Sequence, residues 1–230
     1  VTTNFWHSIS GGKWTKPMPK SLASEYFTCV KDPGEADAAV VFVEAPLSGW
    51  GYSKSAAVDG KTPYLPISLQ YEDYTAEFAR AHSLAGGDIF ESFSNRTYRG
   101  RSVTTPMKSD LEQVLAVRKA MGSKPVIVVM NMTNPAIPNE VERAADAFLA
   151  AVQKRAILEI LSGRAEPSAL LPFQMPRDMK TVEEQCEDLP YDLQVYVDSE
   201  GNQWDFGFGL NWSGIITDAR ANWAKECKSK

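Results

Sequence analysis

Three stretches of the chain are continuously apolar where a half-exposed strand would alternate. Ala38-Ala39-Val40-Val41-Phe42-Val43 and Pro125-Val126-Ile127-Val128-Val129-Met130 are short and rich in β-branched residues, the pattern of strands buried on both faces. Ala147-Phe148-Leu149-Ala150-Ala151-Val152 is a third. Between the first two, Leu111, Val114, Leu115 and Arg118 recur at helical spacing, with Ser109 or Asp110 placed to cap. After the third, Ile157, Leu158, Ile160 and Leu161 make an apolar face that stops at Gly163, a residue suited to end a helix. Further upstream, Ser21 is placed to cap a short helix through Phe27, and Asp32-Pro33-Gly34 marks a turn. Buried strands alternating with amphipathic helices predict a mostly parallel sheet covered on both sides, an α/β fold.

Several regions break that alternation. Residues 45–69 hold Pro46, Gly49, Gly51, Gly60, Pro63 and Pro66 with Trp50, Tyr52 and Tyr64, and run far beyond the roughly 2 to 6 residues usual between a strand and a helix. A long loop at the carboxyl end of a parallel strand is where α/β folds place ligands. Residues 83–106 are polar and carry Gly86, Gly87, Asp88, Asn95, Arg96 and Arg99. Residues 1–20, with Phe5, Trp6 and Trp14 among Gly, Ser and Pro, keep no period and are expected to form an irregular arm. Gln194 to Asp198 and Gln203 to Phe206 flank Ser199-Glu200-Gly201-Asn202, which predicts a hairpin with Gly in the turn. No linker or repeat interrupts residues 21–218, expected to be one domain, and residues 219–230 are left as a tail.

The 230 residues are 43% hydrophobic and 23% charged, a globular composition long enough to bury a core without staples or metals. No apolar run approaches the roughly 18 residues of a membrane span. The 24 basic residues are scattered among 29 acidic ones, for a net charge of −5. Neither nucleic acid nor an anionic membrane is therefore expected as a partner. Cys29, Cys186 and Cys227 lie far apart with no Cys-x-x-Cys pair and only His7 and His82 for company. That disfavours a zinc site, and the odd count disfavours a disulfide framework. The start at Val1 shows no leader that fixes a compartment, which leaves the periplasm or secretion open.

Chemistry-bearing motifs are few. No Gly-x-x-x-x-Gly-Lys-Ser/Thr, Gly-x-Gly-x-x-Gly or Gly-x-Ser-x-Gly occurs, so a nucleotide-binding flavodoxin-like domain and a serine hydrolase lose their usual marks, and no cofactor is expected. Trp50 and Tyr52 sit in the Gly-rich loop, where an aromatic face suits the C–H face of a pyranose. They serve equally well as anchors that hold the loop on its own domain. Glu44 ends the first buried strand, where a carboxyl group facing the crevice suits a general acid; the alternative is a solvated or Lys-paired glutamate.

Four segments occur in order: Ala36-Asp37-Ala38-Ala39-Val40-Val41-Phe42-Val43, Lys124-Pro125-Val126-Ile127-Val128-Val129-Met130-Asn131, Ala165-Glu166-Pro167-Ser168-Ala169-Leu170-Leu171-Pro172-Phe173-Gln174-Met175-Pro176, and Asp205-Phe206-Gly207-Phe208-Gly209-Leu210-Asn211-Trp212. Their succession over about residues 25 to 215 resembles the C-terminal domain of family 3 glycoside hydrolases, the β-glucosidase and β-xylosidase group. The Pro-Ser-x-x-Leu-Pro stretch followed by Phe-Gly-x-Gly-Leu is the most specific part. The resemblance implies a three-layer α/β/α sandwich on a mostly parallel, flavodoxin-like sheet, here with a C-terminal β-hairpin. It also implies an N-terminal (β/α)-barrel as partner, a carbohydrate substrate bound at the junction, and a nucleophilic Asp supplied by the barrel in a Ser-Asp-Trp setting that this sequence lacks.

Where one branch of the family carries its proton donor in a Ser-Gly-Glu-Gly-Tyr loop, this chain has Ser48-Gly49-Trp50-Gly51-Tyr52. An indole N–H transfers no proton at neutral pH, so Trp50 is expected to wall the sugar subsite. Glu44, Asp59 and Glu72 remain as candidate acids, with Glu44 first because it closes a strand, and Tyr52 and Asp59 as further substrate contacts. Ala169 stands where the family usually has Gly, and Gln153-Lys154-Arg155 where many members have a Gly-rich turn. Retaining hydrolysis needs two carboxyl groups roughly 5 to 5.5 Å apart. A module that supplies one of them is half of a β-glycosidase site, expected to be inactive alone. The rival expectation is a non-catalytic carbohydrate-binding or interface domain.

Overall fold

The computed structural model describes residues 18–48, 51–61, 63–79, 97–151, 153–186, 189 and 191–223 in full, and residues 4–7 and 224–228 by backbone alone. In chain order the strands are β1 (Asn4–His7), β2 (Thr28–Val30), β3 (Ala38–Glu44), β4 (Tyr74–Thr75), β5 (Ser102–Val103), β6 (Val126–Asn131), β7 (Ala147–Ala150), β8 (Leu210–Asn211) and β9 (Gly214–Ile215). The α-helices are α1 (Lys20–Ala23), α2 (Lys54–Val58), α3 (Lys108–Met121), α4 (Asn139–Glu142), α5 (Lys154–Leu161), α6 (Met179–Glu184) and α7 (Ala219–Lys228). Five strands make one sheet in the order β2-β1-β3-β6-β7, and every pairing within it is parallel. Counted along the chain this is the 2-1-3-4-5 order of flavodoxin-like folds, with the switch between β1 and β3.

Burial on both faces follows from side-chain alternation along each strand. Ala39, Val41 and Val43 of β3 join Val126, Val128 and Met130 of β6 in one cluster, covered by Leu111, Val114, Val117 and Met121 of α3. Ala38, Val40 and Phe42 face the other way with Val129, under Ala23 of α1 and Ile157 and Leu158 of α5. Each strand thus feeds both cores, which is why its sequence is apolar without alternation.

Several expectations need correction. Residues 1–20 are not wholly irregular: Asn4–His7 is an interior strand between β2 and β3. Four residues are too few to show a period, and flanking strands supply the hydrogen bonds that hold them. β7 forms, but it is a half-exposed edge and not a doubly buried strand. Neither Ser109 nor Asp110 caps α3, which starts at Lys108 after Met107; Asp110 turns to β3 instead. Ser21 caps nothing, since α1 is a single turn entered from Pro19.

The C-terminal quarter packs onto the α3 side. Around Ser199–Asn202 the expected hairpin is reduced to one bridge, Val197 to Gln203, its turn tied by Asp198. A two-strand hairpin lies later, at β8 and β9, and the expected tail carries α7. Gly207 donates to Leu171 at 2.8 Å and Leu171 to Phe208 at 2.7 Å, so the Pro-Ser-x-x-Leu-Pro and Phe-Gly-x-Gly-Leu segments are zipped together. Gly209 lies so close that an added Cβ would stand 2.3 Å from the Ala169 carbonyl oxygen.

Candidate functional site

β3 delivers Glu44 to the carboxyl end of the sheet, beside the switch point. The parallel register sets it against Asn131, the last residue of β6. Asn131 Nδ2 donates to Glu44 Oε2 at 2.8 Å. The Glu44 backbone N–H donates to Asp110 Oδ2 of α3 at 2.9 Å, and its carbonyl accepts from the Tyr71 hydroxyl at 2.7 Å. Glu44 is 8% exposed, and Asp110 and Tyr71 are fully enclosed. Burial, and then the charges of Asp110, Glu140 and Glu44, push the Tyr71 phenol well above its ordinary range, so it stays a proton donor.

The segment after the strand is folded back on itself. Ser48 pairs with Ser68 and Tyr52 with Tyr64 as antiparallel bridges, and α2 forms the tip, capped by the Ser53 hydroxyl. The inner end is tied down twice. Asn134 Nδ2 donates to the Pro46 carbonyl at 3.2 Å, and the Glu140 carboxylate accepts from the backbone N–H groups of Tyr71 (2.6 Å) and Glu72 (3.0 Å). Burial raises the Glu140 carboxyl above its ordinary value although both N–H groups favour its charged form.

The candidate acids have different surroundings. Asp59 ends α2 at the loop tip, 57% exposed and 3.3 Å from Lys61. Glu72 is 54% exposed and 2.9 Å from Lys108. Only Glu44 of the three is withdrawn from solvent at the strand end. Tyr52 is half-buried with its ring 5.2 Å from that of the enclosed Tyr64, the arrangement of a loop anchor. Trp50 lies outside the described residues.

Sequence reasoning passed over Asn131, Asp110 and Tyr71. Asn131 carried a usable signal, because it is the first polar residue after a buried strand, as Glu44 is. Asp110 and Tyr71 carried none, being brought in by tertiary structure. Asp110 offers no second reactive carboxyl, since it is enclosed and spends an oxygen on the Glu44 N–H. The described residues therefore present one strand-end carboxyl able to serve as acid or base. Among them no three His, Cys, Asp or Glu side chains gather as a metal site, and no helix is long and apolar enough to cross a membrane. A separate groove of about 470 Å³ is lined by Leu170, Leu171, Pro172, Phe206, Arg220 and Trp223 among others, and the described residues bring no carboxylate to it.

Comparison with known proteins agrees with this architecture. Residues 23–212 match the family model described as the glycosyl hydrolase family 3 C-terminal domain. Beta-glucosidase C of Emericella nidulans is 36% identical over 96 residues, 41% of this chain and 15% of that protein. A probable beta-glucosidase C of Aspergillus flavus is 33% identical over 97 residues, 41% of this chain and 14% of its own length. The periplasmic beta-glucosidase/beta-xylosidase of Dickeya chrysanthemi is 31% identical over 120 residues, 51% of this chain and 17% of that protein. The matched stretch is thus a small part of each relative. With its family match covering most of its length and its parallel sheet in the 2-1-3-4-5 order, the chain belongs to glycosyl hydrolase family 3, through that family's C-terminal domain.

Proposed function

We propose that this chain is the leaving-group half of a β-glucosidase-like or β-xylosidase-like active site, with Glu44 as its proton donor. The observation that carries the reading is the Glu44 carboxyl, withdrawn from solvent at the carboxyl end of β3 and engaged by Asn131. The names of the relatives support the substrate class, a β-linked glucoside or xyloside. The second carboxyl of a retaining reaction comes from a (β/α)-barrel elsewhere in the protein. In the first step the barrel carboxylate attacks the anomeric carbon while Glu44 gives its proton to the departing oxygen. In the second, Glu44 takes a proton from water, which attacks the same carbon and frees the barrel carboxylate.

Kinetics of the barrel-bearing protein test this. Glu44→Gln should lower kcat/KM, which reports the first step, by about 10²- to 10⁴-fold for glycosides with poor leaving groups and far less for those with activated aryl leaving groups. Equal rates on both classes, at the wild-type level, place the acid elsewhere. The 230-residue chain alone should turn over neither. A second reading, a non-catalytic carbohydrate-binding or interface domain, draws support from the apolar groove beside Trp223, which is 60% exposed. Titrating tryptophan fluorescence with glucose, xylose and their disaccharides separates the two, because a self-sufficient binder responds and a half-site does not.

A further inference from the structure

Glu44 is unusual in how completely its polar groups are held. The side chain is held by Asn131 of β6, the N–H by Asp110 of α3 and the carbonyl by Tyr71 of the loop. Three elements separated along the chain thus converge on one residue. A strand residue in a plain parallel ladder gives its N–H and carbonyl to neighbouring backbone; here both go to enclosed side chains, which fix the backbone at the point where the carboxyl projects. The Asn131 amide donates through Nδ2 to Glu44 Oε2, an oxygen that accepts whether the carboxyl is charged or carries its proton on Oε1. Its other end, Oδ1, is then left buried with no hydrogen-bond partner among the described residues. The contact with Glu44 is thus the side-chain hydrogen bond that the described residues give Asn131.

Resting on the reading of Glu44 as proton donor, we infer that Asn131, Tyr71 and Asp110 are positioning residues that act on glycoside hydrolysis through Glu44, without contact to the sugar. Asn131 sets the direction of the carboxyl; Tyr71 and Asp110 set the height and tilt of the backbone that bears it.

The test uses the barrel-bearing protein with paired substrates, an alkyl β-glycoside and an activated aryl β-glycoside. Asn131→Ala should lower kcat/KM, which reports the glycosylation step, on the alkyl substrate by about 10- to 100-fold, the loss expected from misplacing a reacting group by an ångström, with kcat/KM on the aryl substrate nearly spared. Tyr71→Phe, which removes one oxygen and keeps the ring, should show the same pattern at about 3- to 10-fold. In a Glu44→Gln background both losses should vanish, since there is no acid left to aim. Losses of equal size on both substrates, or losses that persist in that background, overturn the inference. So does a Tyr71→Phe enzyme with wild-type rates on both, a variant whose near-identical shape carries the test if Asn131→Ala fails to fold. The two readings fail separately. If Glu44→Gln shows no dependence on the leaving group, the acid assignment falls and this inference with it; if it does show one while the losses stay additive, this inference alone falls.

Discussion

The close approach at Gly209 and the strand end at Glu44 are built on opposite principles. At Gly209 the constraint is steric: backbone lies against backbone with no room for a methyl group, and Trp204 packs nearby with its ring centroid 5.0 Å from Phe148 and 5.5 Å from Tyr196. At Glu44 the constraint is polar: residues from four segments are joined by hydrogen bonds across 27, 66 and 87 positions of sequence. The first arrangement leaves a compact motif in the chain and the second leaves none. A family signature can therefore mark where a domain packs tightly while leaving no trace of a polar cluster assembled from distant segments.

The steric constraint at Gly209 is the one whose loss costs most. Gly209→Ala must push a Cβ into the Ala169 carbonyl oxygen, so it should destabilise by about 3 kcal/mol and lower the melting temperature by about 6 to 12 °C. The ratio of rates on alkyl and aryl glycosides should not move. A variant that melts with the wild type would show that the motif is not sterically forced.

The other end of β6 sharpens the contrast more gently. Asp146 accepts from the Val126 N–H at 2.8 Å and from Arg118, and these contacts, the backbone one foremost, hold its carboxyl below the ordinary 3.8. A depressed acid stabilises the fold above its unfolded value and loses that contribution as pH falls through its folded one. Asp146→Asn should thus cost less than about 1 kcal/mol at neutral pH, the side chain being half exposed, and the gap to wild type should close below pH 3.8 in denaturant titrations.

Smallest of all is Asp59→Asn. At an exposed loop tip it should change stability by no more than about 0.5 kcal/mol and leave glycoside kinetics untouched. A collapse of turnover on poor leaving groups would instead move the acid from the strand end to the tip of the loop.

What could be read from the sequence follows from the range of the forces involved. β3 and β6 were plain, because a doubly buried strand writes its burial into consecutive residues, and the change from apolar to polar at Glu44 marked where β3 ends. β1 was not, since Asn4–His7 owes its strand state to β2 and β3 on either side. Asp110 looked like a helix cap because its neighbours in sequence are helical; its partner lies 66 positions away. The loop of residues 45–69 was recognised by its glycines and prolines, but the Tyr52 to Tyr64 pairing that gives it shape was not, as no local period encodes it.

The greasiness of β3 on both sides has a consequence of its own. Sliding such a strand one step past its neighbour would trade one apolar contact for another, so oiliness alone is indifferent to the slip. A slip of one step would, however, take Glu44 away from Asn131, Asp110 and Tyr71 together. The cluster at the strand end is thereby a vernier for the middle of the sheet, and loosening it should first appear as heterogeneity in the alignment of β3, before any loss of helix or core.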